Sequence, residues 1–295
     1  MADGTTDGAT PAAPRPARAT RSDGVAEPTP TRLDAYRAVL GARLRAQTTY
    51  RGSFALQVLG NLAQGLLDFA EVYVIFHNVR ALGGLGFRPA ILVFALANLS
   101  FAIADCATGS LDDMPRLIRT GTLEVLLLRP LSTIGQIVTT DLALRRLGRA
   151  LTAGLVLAAA LWLNPVPWTP WRVGLLLVTP LTGATLFGAL FVLAGAVQFW
   201  LTDAAEVTNG FTYGGSYAAS FPASVLPLPL RAFFAFVVPT AFVGYLPALA
   251  LLGLPGPGWL PSWLGWCVPA VAVLAVGAAA SAWRAGVRHY TGAGG

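Results

Sequence analysis

Apolar stretches of bilayer length recur from Phe54 almost to the C-terminal end, and no other feature constrains this chain as strongly. A hydrocarbon core of about 30 Å asks for roughly 20 predominantly apolar residues per crossing helix. No water reaches backbone N–H and C=O groups there, so a crossing segment must hydrogen-bond internally, as a helix does. The stretches run from Phe54 to Val79, Pro89 to Thr108, Ala150 to Leu163, Val173 to Leu201 and Trp266 to Trp283. A further crossing is drawn from the region between Val207 and Leu252. With 55% apolar and 12% charged residues, the expected fold is an all-α polytopic membrane protein of about six transmembrane helices.

Composition also excludes several functions. The net charge of +6 comes from arginines clustered beside the apolar runs, where the positive-inside rule accounts for them without nucleic acid. Lysine is absent, which removes any phosphate-binding loop of the Walker A kind. Cys106 and Cys267 lack the spacing of a zinc site or a disulfide framework. His77 and His289 are expected on opposite sides of the membrane, so no metal site is expected either. No GxSxG-type nucleophile motif accompanies the carboxylates, and no catalytic constellation emerges.

In chain order, residues 1–31 are rich in Ala, Pro, Thr, Gly and Asp and read as a disordered tail. Residues 32–53 carry Leu33, Tyr36, Leu40 and Leu44 at helical spacing among arginines, an interfacial helix leading into the membrane. The transmembrane domain is expected over 54–288, with a short tail at 289–295. In the first span Gln57, Asn61, Gln64, Asp68 and Glu71 follow one another at steps of four, three, four and three, one stripe of a helix. Ionisable groups at that depth face protein or a pathway rather than lipid. The stripe is either hydrogen-bonded glue between helices or the lining of a substrate route. In the second span Asp105 lies near the cytosolic end and reads as interfacial. The third apolar run is too short to cross alone, so its helix is expected to begin earlier, with Arg145, Arg146 and Arg149 reaching the interface.

Between residues 226 and 252 the chain carries Pro227, Pro229, Pro239 and Pro247. Broken helices at membrane depth need protein or a cavity to cover them, and a re-entrant segment on the outer side fits. Whether 207–225, with Gly210 and Gly214 at GxxxG spacing, or 231–252 is the full fifth span stays open. Thirteen arginines from Arg32 onward fall in segments assigned to the cytosol against four outside, which places both termini in the cytoplasm.

Residues 109–132, GSLDDMPRLIRTGTLEVLLLRPLS, form a polar segment between apolar runs, within the cytosolic stretch 109–149. Pro115 and Gly121 break it in two. One reading makes it a cytosolic helical insertion on which a soluble partner pushes; the other, an amphipathic loop lying on the headgroups.

The order of elements, with GTLEVLLLRPL at 121–131 and VVPTAFVGYLPA at 237–248, resembles the permease subunits of ABC-2 type exporters from Arg32 onward. The first stretch resembles the family's G-x-L-(D/E)-x-x-L-L-R-P-L signature, the second its Pro-containing stretch before the final helix. The resemblance implies a membrane subunit that pairs with an identical or related permease and docks two cytosolic ABC ATPase subunits, and the use of arginine in place of lysine with abundant Ala, Gly and Pro points to a bacterial inner membrane. ATP and Mg²⁺ would bind those partners, with no cofactor on this chain and no enzymatic role for it. The implied coupling site comprises Asp112, Asp113, Met114, Arg116, Leu117, Ile118 and Arg119, with Glu124 and Arg129 alongside. The mixed charges would meet the partner's surface, and Met114, Leu117 and Ile118 would enter a groove on it. Asn61, Gln64, Asp68 and Glu71 would line a pathway for a cationic or amphipathic organic compound such as a drug or antibiotic. A secondary transporter or channel working without an ATPase is the alternative, although the two halves show no internal repeat.

Overall fold

The computed structural model describes residues 51–140, 144–201, 204–258 and 260–292. The expected tail at 1–31, most of the interfacial helix at 32–53, Asp141 and Asp203 lie outside them, as do the side chains of Gln57, Asn61 and Arg145. Among the described residues the regular structure is helical. Helix α1 spans Arg51–Asn78 and α2 Phe87–Thr108. A 3-10 turn, Gly109–Asp113, leads into two short helices, α3 (Met114–Arg119) and α4 (Thr122–Leu127). Then follow α5 (Thr133–Thr140), α6 (Leu144–Leu163), α7 (Pro170–Val197) and α8 (Ala205–Ala219). After a broken stretch come α9 (Leu228–Ala232) and α10 (Tyr245–Leu252), and finally α11 (Val268–His289).

Four helical stretches are both long and apolar enough to cross a membrane: Phe87–Arg119, Arg146–Leu163, Pro170–Val197 and Ser262–His289. The pair Leu228–Val237 and Thr240–Leu252, bent by 73°, makes a fifth if it is counted as one span. The expected count of about six therefore exceeds what length and composition supply among the described residues. The shortfall has two causes. Helix α1 has 28 residues, about 42 Å at 1.5 Å per residue, but its polar stripe dilutes its hydropathy. Helix α8 has 15 residues, about 22 Å, short of a 30 Å core.

The bend after Val237 falls where Pro239 cannot donate a hydrogen bond. Beyond it α10 is buried from Tyr245 to Leu251, so protein covers the irregular backbone as the membrane environment requires. A Cβ on Gly244 would come within 2.7 Å of the Val93 carbonyl oxygen, and one on Gly265 within 2.6 Å of that of Leu246. These glycines let α10 lie directly against α2 and against the turn before α11. By contrast, a Cβ on Gly210 or Gly214 would meet nothing within 4 Å. The GxxxG face of α8 is thus open within this chain.

Helix α6 begins at Leu144, earlier than the apolar run, as expected. Its arginines do more than reach the interface. Asp105, 5% exposed rather than interfacial, holds Arg146 at 3.6 Å and Arg149 at 3.2 Å. Arg146 also donates to the Asp105 backbone carbonyl at 2.8 Å. Two buried clusters make up the core. One centres on α2, α10 and the start of α11. The other joins α2 and α7 to the segment after α2, with the Phe101 ring in contact with both Phe187 and Phe191 at its middle.

Candidate functional site

Helix α1 presents Gln64, Asp68 and Glu71 to a cavity of about 280 Å³ whose other walls come from α2, α8 and Arg149 of α6. Gln64 Nε2 donates to Asp68 Oδ1 at 2.8 Å, orienting that carboxylate. Tyr217 of α8 donates its hydroxyl to Glu71 Oε1 at 2.5 Å. Asn98 of α2 reaches Ser220 Oγ at 3.4 Å. Phe94, Phe101 and Tyr213 supply aromatic surface. Arg149 is the cation on the lining, and its charge is engaged by Asp105. Two carboxylates among aromatic walls form a concave, partly apolar site whose polar groups favour positive charge. The structure brings three of the four residues expected on a pathway, Gln64, Asp68 and Glu71, to one cavity. The side chain of Asn61 lies outside the described residues.

The second region is the segment after α2. Gly121 takes φ 68° between α3 and α4, a left-handed turn that costs glycine little. Pro115 does not break a helix; it sits in the first turn of α3, where its missing N–H is harmless. Met114 and Ile118, expected to enter a partner's groove, are instead 0% and 3% exposed. With Leu111, Leu123 and Leu126 they pack into the chain's own core. At about 1.5–3 kcal/mol for each fully buried side chain, they anchor α3 and α4 to the bundle. Asp112 also turns inward and accepts from Tyr213 at 2.6 Å. The outer face carries Arg116, Arg119, Glu124 and Arg129, all exposed, with Arg116 on Asp113 at 2.8 Å. Leu117 is half-buried.

Sequence reasoning placed Leu123 to Pro130 alongside the coupling helix without singling out Val125 and Leu128, 52% and 86% exposed, the large apolar side chains that α4 and its C-terminal end turn outward. In LEVLLL nearly every position is apolar, so periodicity cannot tell the buried face from the open one. It also missed Gln136, which donates to the carbonyls of Leu126 and Leu131 at 2.9 and 3.1 Å and ties down the Arg129-Pro130 turn. The end of α11 closes the same region: Trp283 and Tyr290 both pack their rings edge-on to Phe199. Burial, with the Glu124 carboxylate nearby, pushes the Tyr290 phenol above its ordinary pKa.

A bundle of apolar helices, a groove with carboxylates and a compact helical platform at one end define a multi-pass α-helical membrane protein. Residues 62–294 match the family model described as "ABC-2 family transporter protein", and the chain belongs to that family. It is accordingly the permease component of an ABC transporter, a membrane subunit that works with an ATPase subunit. No curated protein and no solved structure matches the chain.

Proposed function

We propose that this permease is an exporter subunit in the bacterial inner membrane, with both termini cytoplasmic. Two copies of a cytosolic ATPase dock on it, and it conducts an organic cation with an apolar body. The observation that carries this reading is the platform α3–α4. Its inner face is anchored by Met114, Ile118, Leu123 and Leu126, and its outer face offers Arg116 and Arg119 beside Val125 and Leu128. An ATPase that closes on ATP acts on a membrane subunit through differential contacts of this kind, and firm anchorage lets such a contact move the bundle. The substrate class follows from the groove, where Asp68 and Glu71 stand among aromatic side chains. Pairing with a second permease, identical or related, is supported by the uncovered Gly210 and Gly214 beside exposed Val207 and Phe211 on α8, and by Leu66 and Leu67 on α1.

Affinity purification of the tagged protein from mild detergent tests the reading. An ATPase should co-purify with the wild type and be lost with Arg116→Glu/Arg119→Glu. Recovery of intact protein without an ATPase, under conditions that preserve a control exporter, would instead favour a secondary transporter or channel.

A further inference from the structure

Helix α8 carries two tyrosines four residues apart, and each reaches across to a different element. Tyr213 donates to Asp112 Oδ2 at 2.6 Å, in the 3-10 turn that runs directly into α3. Tyr217 donates to Glu71 Oε1 at 2.5 Å on α1. Residues four apart lie one above the other on a helix face, so both hydroxyls act from one side of α8, the side that lines the groove. The ring of Tyr213 stands edge-on to Phe101 at 5.5 Å and to Phe191 at 6.1 Å, against the aromatic core of α2 and α7. Elsewhere on α8, Thr208 accepts from Gln198 at 2.9 Å and Gly215 packs against Val238 and Thr240, while Gly210 and Gly214 meet open space.

We infer that Tyr213 is a positioning residue that transmits displacement of the α3–α4 platform to α8, and through Tyr217 to the carboxylate wall of the groove on α1. The inference rests on the permease reading and adds to it a specific route. A shift of the platform moves Asp112, because that residue lies in the turn immediately before α3. The charge-assisted hydrogen bond carries α8 with it, and the aromatic contacts make Tyr213 the point about which α8 tilts. Glu71 is then drawn or released by Tyr217, and the groove changes shape while the platform stays bound to its ATPase. Coupling of this kind requires an element with two arrangements that both ends bias, and α8 is the element that touches both.

The test needs no knowledge of the substrate. Ser216 lines the groove one residue from Tyr217. It is replaced by cysteine (Ser216→Cys) after Cys106→Ala and Cys267→Ala remove the native thiols. In proteoliposomes with the co-purified ATPase, the rate of maleimide labelling is read with and without ATP and vanadate, alongside ATPase recovery and ATP hydrolysis. The parent should show an ATP-dependent change in labelling rate. Tyr213→Phe keeps the ring and should shrink that change at least about tenfold, the lower end of what one charge-assisted hydrogen bond is worth in an equilibrium. ATPase recovery and hydrolysis should persist. Asp112→Asn retains an acceptor oxygen without the charge and should preserve part of the change, whereas Asp112→Ala should lose it.

An undiminished change in Tyr213→Phe overturns the inference and leaves the permease reading intact. So does a variant that loses its ATPase together with the labelling change, or a parent that recruits and fuels an ATPase yet labels at one rate throughout. A parent that recruits no ATPase sinks the proposed exporter reading, and the inference with it.

Discussion

Replacing Gly109 by alanine adds one methyl group where two charged side chains already meet. Gly109 has φ −62° and ψ −16°, ordinary helical values, so backbone strain does not enter. On propensity alone Gly109→Ala should stabilise the end of α2 by about 1 kcal/mol. The added Cβ, however, would lie 2.2 Å from Asp105 Oδ1, 2.4 Å from a terminal nitrogen of Arg146 and 2.9 Å from its guanidinium carbon. Asp105 is 5% exposed and bound on two sides, so it has little room to retreat. Separating a buried ion pair costs about 3–5 kcal/mol, which leaves a net loss of about 2–4 kcal/mol. At roughly 2–4 °C per kcal/mol for long chains, the apparent unfolding midpoint should fall by about 4–16 °C in detergent, read by size-exclusion chromatography after heating. The decisive control is Asp105→Ala. In that background the carboxylate is gone while Arg146 keeps its bond to the backbone carbonyl of residue 105, so adding Gly109→Ala should cost clearly less than in the wild type, a non-additivity expected of groups in contact. A midpoint for Gly109→Ala at or above the wild type, or an equal fall in both backgrounds, would refute the reasoning.

A Cβ on Gly183 would stand 2.5 Å from Ser100 Oγ and 2.9 Å from Val243 Cγ1. Gly183→Ala should therefore destabilise the α2–α7 contact by about 1–3 kcal/mol, and an unchanged midpoint would show that the two helices can separate at no cost. Asp68→Asn/Glu71→Gln removes both groove carboxylates and should abolish ATP-dependent uptake of tetraphenylphosphonium and related cations into inverted vesicles. If transport of every tested cation survives in protein that still assembles, the carboxylates do not select the cargo.

The long apolar helices α2, α7 and α11 were legible in the sequence because each is a near-continuous apolar run, and hydrocarbon leaves such a run little other choice than a helix. The stripe on α1 was legible because side chains three and four apart must share a face, and Gln64, Asp68 and Glu71 do meet one cavity. What spacing cannot reveal is a partner far along the chain. Asp105 was read as interfacial because its arginines lie 41 and 44 residues away. Asp112 was read as a surface charge because its phenol donor lies 101 residues away. The facing of Met114 and Ile118 was misjudged for a related reason: the segment has apolar residues on more than one face, and the core decided which face it took.

The hydrogen bond between Glu71 and Tyr217 also bears on how the protein is made. The two residues are 146 positions apart, so at about 5–20 residues per second of synthesis Tyr217 follows Glu71 by roughly 7–30 s. Helix α1 therefore leaves the ribosome first among the described helices, with Asp68 already held by Gln64 of the same helix and Glu71 still without its phenol donor. Until α8 arrives, Glu71 must be satisfied by water or another donor, because a carboxylate at that depth is costly when unpaired. The closing of this wall of the groove thus becomes a late step, timed by the C-terminal half of the chain.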